Sequence, residues 1–256
     1  MPFSKRINKE VTPKRLYAFL KLVKDISTTK ENLEKYIQPL ENKSNVFNSV
    51  YSFAEKAGLI ECNFADIVTL KNIEEKNLYN WDSYRKYMAE IIFKNEDSSF
   101  LKLTSWYLEK EKEVFEFNNS GMISEKLKGD VEILNKDDVL GWRFWAEFLG
   151  IGFLSNSIII PNMYKRIKDI IESSECIEKN IELPIATFID VLLEHNEFKK
   201  CIDGNNIKYG VSNGLRTLHD QKFIKLVKTS DSTDVWHLYR MEHEIVEDVT
   251  GIIINR

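Results

Sequence analysis

The chain has 256 residues, 43% of them hydrophobic and 12% aromatic, which provides for a substantial buried core and argues against global disorder. No apolar run approaches the roughly 18 residues of a transmembrane helix, and the basic start of the chain has no apolar region typical of a secretory signal. Three widely spaced cysteines, Cys62, Cys176 and Cys201, are typical of reduced thiols. We therefore expect a cytoplasmic protein that does not bind membranes.

Residues 1–74 predict a three-helix unit that ends in a small hairpin. A Thr-Pro pair typical of a helix start opens a helix over 13–25, and a second helix follows over 28–37. A third helix over 46–57 ends at a glycine, which adopts the left-handed conformation without strain. Two short segments within 59–70 then flank the polar turn Asn-Phe-Ala-Asp. This order of elements is that of a winged helix-turn-helix domain.

Residues 75–175 predict a helical middle domain. Amphipathic helices are expected over 81–93 and 99–117, followed by an aromatic-rich helix whose tryptophans follow helical spacing and favour core packing over a ligand cage. A hairpin about a Ser-Asn-Ser turn comes next, so that 138–161 resembles a degenerate third copy of the winged-helix pattern. The polar stretch at 176–182 is the expected linker.

Residues 183–256 predict a second complete winged helix. After a first helix, a short element at 198–202 and a recognition helix at 207–220 are expected. Strands at 223–228 and 234–240 would form its longer wing. An acidic tail with an apolar end follows. The predicted fold class is therefore mainly α with small β-hairpins (α+β), with tandem winged helix-turn-helix modules around a helical middle domain.

The net charge of −4 hides an uneven distribution of charged residues. Residues 1–24 carry seven basic residues and one acid, and residues 198–228 carry seven basic residues and two acids. Residues 109–138 carry nine acids and five bases. Basic ends on an acidic protein suit local binding of nucleic-acid phosphates. The alternative is that both blocks are ordinary solvated surfaces.

The predicted recognition helices supply the candidate contacts to double-stranded DNA. Asparagine and arginine side chains read base edges, and lysine, serine and threonine suit phosphates. The C-terminal candidates are expected on one exposed helix face and its wing: Lys208, Ser212, Asn213, Arg216, Thr217, Lys222, Lys225 and Lys228. The N-terminal candidates are Asn45, Asn48, Ser49 and Ser52. The alternative for both helices is contact with another protein.

The sequence predicts no enzyme, no metal site and no cofactor. The four histidines form neither a His-Glu-x-x-His motif nor a close pair with cysteine, and no phosphate-binding glycine loop occurs. Asp190, Glu197 and Lys199 loosely match the acid–x–Lys pattern of metal-dependent nucleases, but such triples arise readily by chance in a chain with 30% charged residues.

The segment GWRFWAEFLGIGFLSNSIIIPN resembles the G component of the Dpd defence cluster, which inserts 7-deazaguanine bases into DNA. In that family an aromatic-rich helix likewise leads through a Leu-Gly break into a short hairpin and a proline. The resemblance implies a non-catalytic DNA-binding accessory protein of a bacterial antiphage system, with other defence subunits as partners. It carries over no functional residue.

Two other function classes suit the same pattern. A winged-helix scaffold or adaptor of a multiprotein complex, such as one built around an SMC-like ATPase, is favoured by the acidic middle and the apolar tail. A transcriptional repressor is favoured by the basic wings.

Overall fold

The structure is a computed structural model that describes residue 3 and residues 5–38, 45–128, 134–242 and 246–255. Pro39, which the sequence predicts to end the second helix, and most of the turn that follows it lie outside these residues. The α+β class is confirmed, since helices dominate and the strands are short and few per sheet.

The first elements follow the predicted order, and we call them the N-terminal unit. Thr12 caps the first helix by accepting a hydrogen bond from the Arg15 amide, and Thr29 caps the second by accepting from the Asn32 amide. Gly58 follows the third helix with φ +71°, where a side chain would be strained. The elements are α1 (Pro13–Ile26), α2 (Lys30–Ile37), α3 (Val46–Lys56) and the antiparallel hairpin β1 (Ile60–Cys62) and β2 (Val68–Leu70).

The buried face of α3 is rotated relative to the expected one. The sequence spacing predicts that Val46, Val50, Phe53 and Ala57 share the buried face, but only Val50 of these is buried and the other three are half-buried. The other buried side chains of the helix are Phe47, Tyr51 and Ala54. Because both sets are apolar, helical periodicity alone did not decide which set faces inward.

The middle of the chain is helical up to a hairpin. The expected single helix over 99–117 is wrong: it breaks at Glu111, whose φ is +49°, and continues as a 3-10 helix over Glu111–Glu116. The elements are α4 (Trp81–Phe93), α5 (Ser99–Glu109), α6 (Ser120–Lys126), α7 (Lys136–Phe148), the antiparallel hairpin β3 (Gly152–Ser155) and β4 (Ile158–Pro161), and α8 (Tyr164–Ser173).

The C-terminal part departs from a simple winged helix. Its elements are β5 (Glu182–Pro184), α9 (Ile185–Leu193), β6 (Ile202–Asp203), β7 (Asn206–Ile207), α10 (Tyr209–Asp220), β8 (Ile224–Val227), β9 (Trp236–Leu238), β10 (Asp248–Val249) and β11 (Gly251–Ile254). The predicted wing is wrong, because β8 and β9 belong to different sheets: β8 pairs with β11, and β9 pairs with β7 and β10. The apolar tail causes this, since Ile252 and Ile254 are buried beside β8.

The core runs without interruption through all three parts of the chain. One cluster of buried apolar side chains extends from Phe3 to Ile254, with Trp142 and Trp145 of α7 among its largest fully buried members. The indole of Trp145 donates to the Val11 carbonyl at 2.6 Å, which ties the start of the chain to α7. The predicted domain boundaries stay a prediction, but they do not separate independent cores.

Candidate nucleic-acid interface

The polar side chains of α10 face inward. The predicted exposure of Ser212 and Arg216 is wrong, because both residues are buried. Ser212 Oγ donates to the Ile207 carbonyl and accepts from the Tyr239 amide, each at 2.8 Å. Arg216 donates through Nε and Nη2 to the Val246 carbonyl at 3.3 and 2.9 Å. In this structure both side chains hold α10 against neighbouring strands and present no polar atom to a ligand.

Asn213 and Thr217 are also engaged within the protein. Asn213 Nδ2 donates to the Pro161 carbonyl at 3.1 Å, and Thr217 Oγ1 accepts from Asn162 Nδ2 at 2.9 Å. Both side chains are half-buried, so their exposure was overestimated as well. They join α10 to the end of β4 and the start of α8.

Two glycines explain why this face of α10 is covered. A Cβ atom built on Gly214 would lie 2.8 Å from Ile167 Cδ1 and 2.9 Å from the Tyr164 amide nitrogen. A Cβ atom on Gly210 would lie 3.1 Å from Leu108 Cδ2. Gly214 thus lets the start of α8 approach α10 more closely than a side chain would allow, and Gly210, one helical turn earlier, leaves room for Leu108 and Pro161.

The C-terminal lysines do not form one basic face. Lys222 and Lys225 are exposed and have no ion pair among the described residues. Lys228 Nζ lies 2.6 Å from Asp248 Oδ2, and this pairing holds the pKa of the Asp248 carboxyl below its usual value. Lys208 is half-buried at the start of α10, in a groove of about 470 Å³ that several carboxylates line.

The four N-terminal candidates, in contrast, lie together along an open groove. Asn45 and Asn48 are exposed, Ser49 and Ser52 are half-buried, and all four line a groove of about 760 Å³ on one side of α3. Asn8 Nδ2 donates to Ser49 Oγ at 3.1 Å and joins the start of the chain to this helix. We call this feature the N-terminal groove; its opposite wall and floor are formed by Phe3, Lys5, Arg6, Asn8 and Val11.

The described residues that line the N-terminal groove include three cations and no carboxylate. The cations are Lys5, Arg6 and Lys56. Arg6 Nε lies 2.9 Å from Asp138 Oδ1, but Asp138 is buried while the arginine side chain keeps 54% of its exposure. Three other grooves of 470 to 780 Å³ are each lined by at least two carboxylates. Among these four grooves, as the described residues line them, the N-terminal groove has the clearest attraction for an anion.

The sequence did not predict the wall of the groove that is formed by residues before α1. Lys5, Arg6 and Asn8 lie outside any predicted helix or strand, so no periodic pattern marked them. The available signal was the basic block at 1–24. The wall is fixed because Asp138 Oδ1 accepts a hydrogen bond from the Ile7 amide at 2.8 Å, a contact between residues far apart in sequence.

Several cations of the two basic blocks form ion pairs with acidic residues of the same protein. Lys9 pairs with Asp137 at 3.1 Å, and Lys199 pairs with Glu96 at 2.9 Å. Lys200 likewise lies 3.4 Å from Glu109. Acids of the middle part thus neutralise cations of both basic blocks, which reduces the cationic surface that the sequence suggests.

The residues of the nuclease-like triple are not brought together as a reactive site. Glu197 is fully buried, and its Oε1 lies 2.5 Å from Nε of Arg166, which is also buried. Asp190 is exposed on α9, and Lys199 pairs with Glu96. Among the described residues, no group of three or more His, Cys, Asp or Glu side chains could hold a metal ion.

Comparison with models of protein families, with curated proteins and with solved structures gave no match. Within the described part of the chain, none of the helices combines the length and apolar character needed to cross a membrane.

Proposed function

We propose that the N-terminal unit is a winged helix and that the protein is a non-catalytic binder of duplex DNA that uses the N-terminal groove. The observation that carries the proposal is the composition of this groove: three cations, four amide and hydroxyl side chains of α3, and no carboxylate among the described lining residues. In the N-terminal unit, three helices precede one antiparallel hairpin, which is the order of elements in a winged helix.

The exposed side of α3 fits the chemistry of the major groove. An α-helix fits the width of the B-DNA major groove, and an asparagine side chain can bond an adenine edge through two hydrogen bonds. Asn48 is exposed near the start of α3, and the Asn45 side chain makes no capping hydrogen bond. The phosphates of the adjacent strand would then pass Lys5 and Arg6, which lie across the groove from α3.

A titration with a labelled duplex of about 20 base pairs at several salt concentrations tests this proposal. Contact with about four to six phosphates predicts a log–log salt slope on the order of −4 to −5. Lys5→Glu should weaken binding by at least about tenfold and make the slope less negative by about 1, as expected for one lost phosphate contact. Asn48→Asp should weaken binding by placing a carboxylate on the helix face that approaches the bases.

Lys179→Glu is the matched control, because it changes the net charge equally at an exposed lysine in the loop between α8 and β5. This variant should bind duplex DNA like the unchanged protein. Equal losses for Lys5→Glu and Lys179→Glu would mean that only net charge matters and would contradict the groove. No binding at 50–100 mM salt would contradict the DNA proposal altogether.

A protein adaptor is the second candidate, and the tip of the first hairpin favours it. Phe64 projects fully into solvent between β1 and β2. The Asn63 side chain fixes this turn by accepting hydrogen bonds from the amides of Ala65 and Ile67. A large apolar side chain on a turn whose backbone is fixed suits an anchor in a partner's pocket. Co-purification of a partner that survives nuclease treatment and is lost with Phe64→Ala would favour this function.

A role in antiphage defence belongs to the proposal through the Dpd resemblance alone. Genes for 7-deazaguanine insertion beside the coding gene would support it, and a neighbourhood without defence genes would count against it.

A further inference from the structure

A second surface combines aromatic rings and lysines, and it lies on the hairpin β3–β4, on α8 and on the turn after α10. We call it the hairpin–α8 patch. It consists of Phe153, Tyr164, Lys165, Lys168 and Phe223, together with the exposed Lys222, which precedes Phe223 in the chain. Lys165 and Lys168 are three residues apart on α8, so they share one side of the helix. None of these residues lines the N-terminal groove.

The aromatic rings of the patch are half-open to solvent. The ring of Phe153 is stacked on that of Tyr164, with centroids 5.6 Å apart and planes 25° apart. Phe153 nevertheless keeps 39% of its exposure, so Tyr164 supports one face of the ring while a large part of it stays accessible. Phe223 is also only half-buried. An aromatic ring that is held from one side and stays partly exposed can stack on a nucleobase.

The lysines of the patch alternate with these rings. Lys165 Nζ lies 6.0 Å from the centroid of Phe153 and 5.9 Å from that of Tyr164, and Lys168 Nζ lies 5.0 Å from that of Phe223. Lys165 and Lys222 have no ion pair within the described part of the chain.

Two carboxylates lie close to the patch, and both have other partners. Glu172 is 3.8 Å from Lys168 and also 2.7 Å from Lys86. Glu147 Oε1 accepts a hydrogen bond from the Leu154 amide at 3.2 Å. Three lysines against these two carboxylates leave the patch, among the described residues, with a net positive charge.

Hydrogen bonds hold in place the elements that carry the patch. Phe153 lies in register with Ile160 of the hairpin, and the Tyr164 amide at the start of α8 donates to Asn162 Oδ1 at 3.2 Å. The Phe223 carbonyl accepts from the Asn255 amide at 3.0 Å. A surface fixed in this way loses little conformational freedom when it binds.

We propose that the hairpin–α8 patch binds single-stranded nucleic acid. Unpaired bases stack on Phe153 and Phe223, and the backbone phosphates lie against Lys165, Lys168 and Lys222. A duplex fits less well, because its base faces are already stacked on one another and the patch presents half-buried rings rather than an exposed polar helix face. This activity goes beyond the duplex binding proposed for the N-terminal groove and does not depend on it.

The test measures binding of a labelled single strand of about 15 nucleotides and of the matching duplex. Phe153→Ala should weaken single-strand binding by about 5- to 150-fold, the range for losing one stacked base, and Phe153→Trp should retain it. Lys165→Ala should weaken all single strands alike and make the salt slope less negative by about 0.7.

Phe144→Ala is the matched control, because Phe144 is 38% exposed on α7 and has no ring contact with the patch. It should leave single-strand binding unchanged. Equal losses for Phe144→Ala and Phe153→Ala, or no single-strand binding by the unchanged protein at 50–100 mM salt, would overturn the proposal. Binding of an acidic peptide instead of the single strand would overturn it in favour of a protein partner.

The duplex proposal and the single-strand proposal can be contradicted independently of each other. Lys5→Glu should reduce duplex binding and leave single-strand binding intact, and Phe153→Ala should do the reverse. If Phe153→Ala reduced duplex and single-strand binding equally, the patch would be part of the duplex site and the single-strand proposal would be wrong.

Discussion

The helices α3 and α10 have similar sequences in outline and opposite roles in the fold. Each has an apolar side, a side rich in serine, asparagine and basic residues, and strands after it. The polar side of α3 lines an open groove, whereas that of α10 is covered by α8 and the C-terminal strands. A polar helix face can therefore be either a binding surface or a packing interface inside the protein, and composition alone does not distinguish the two.

The presence of glycines distinguishes the covered face of α10 from the open face of α3. Gly210 and Gly214 lie one turn apart on α10, and each faces a neighbouring element at a distance that leaves little room for a side chain. The described helix α3 contains no glycine. Small residues at this spacing indicate close packing of another helix, and the polar side chains beside them then need partners inside the protein.

The largest effect on stability should come from the buried ion pair between Arg166 of α8 and Glu197. Glu197→Ala should lower the free energy of unfolding by about 3–5 kcal/mol, because it leaves Arg166 as an uncompensated buried charge. Urea unfolding would measure the loss. The double variant Arg166→Met/Glu197→Met should be markedly more stable than Glu197→Ala; if it is not, the pair does not act as a unit.

The next largest effect tests the close approach of the two helices. Gly214→Val should cost about 3 kcal/mol, since part of the clash is with the backbone of α8 at Tyr164, which cannot move aside like a side-chain end. Asn48→Val, at an exposed position of α3, is the control and should change stability by about 0.5 kcal/mol or less. Similar costs at both positions would remove the contrast between the helices.

Arg216 gives a smaller effect and separates structure from DNA contact. Arg216→Met should cost about 1–3 kcal/mol by leaving the Val246 carbonyl without these donors, and it should not change duplex affinity of the folded protein. Thermal unfolding and the duplex titration measure the two quantities on one sample. Loss of duplex affinity without loss of stability would restore the reading of α10 as a recognition helix.

The sequence predicts the local structure of this protein better than its long-range pairing. Thr12, Thr29 and Gly58 mark helix ends through contacts within a few residues, and the structure has helix ends there. The pairing of β8 with the tail joins segments over twenty residues apart, and no local signal chooses it over a hairpin with β9. The candidate site followed the same rule: the sequence identified the polar residues of α3 that line the groove, but the wall formed by Lys5 and Asn8 depends on contacts with α7 and α3, which are distant in sequence.

The smallest effect should be a pH dependence of stability that arises in the C-terminal part of the chain, because all four histidines follow residue 194. Burial lowers the pKa of His195 below its usual value, and the nearby Arg166 adds to this against the opposing Glu197, Glu194 and Glu90. The folded state therefore disfavours the protonated ring, while the unfolded chain binds the proton near pH 6.5. This contribution to stability is complete above about pH 6.5 and is lost as the pH falls toward the lower folded value. The slope is at most about 1.4 kcal/mol per pH unit for one proton. Urea unfolding at pH 7.5 and 5.5 would measure the loss of stability on acidification. His195→Asn should reduce the difference in the free energy of unfolding between the two pH values. An unchanged difference would show that the protonation of His195 does not cause the loss.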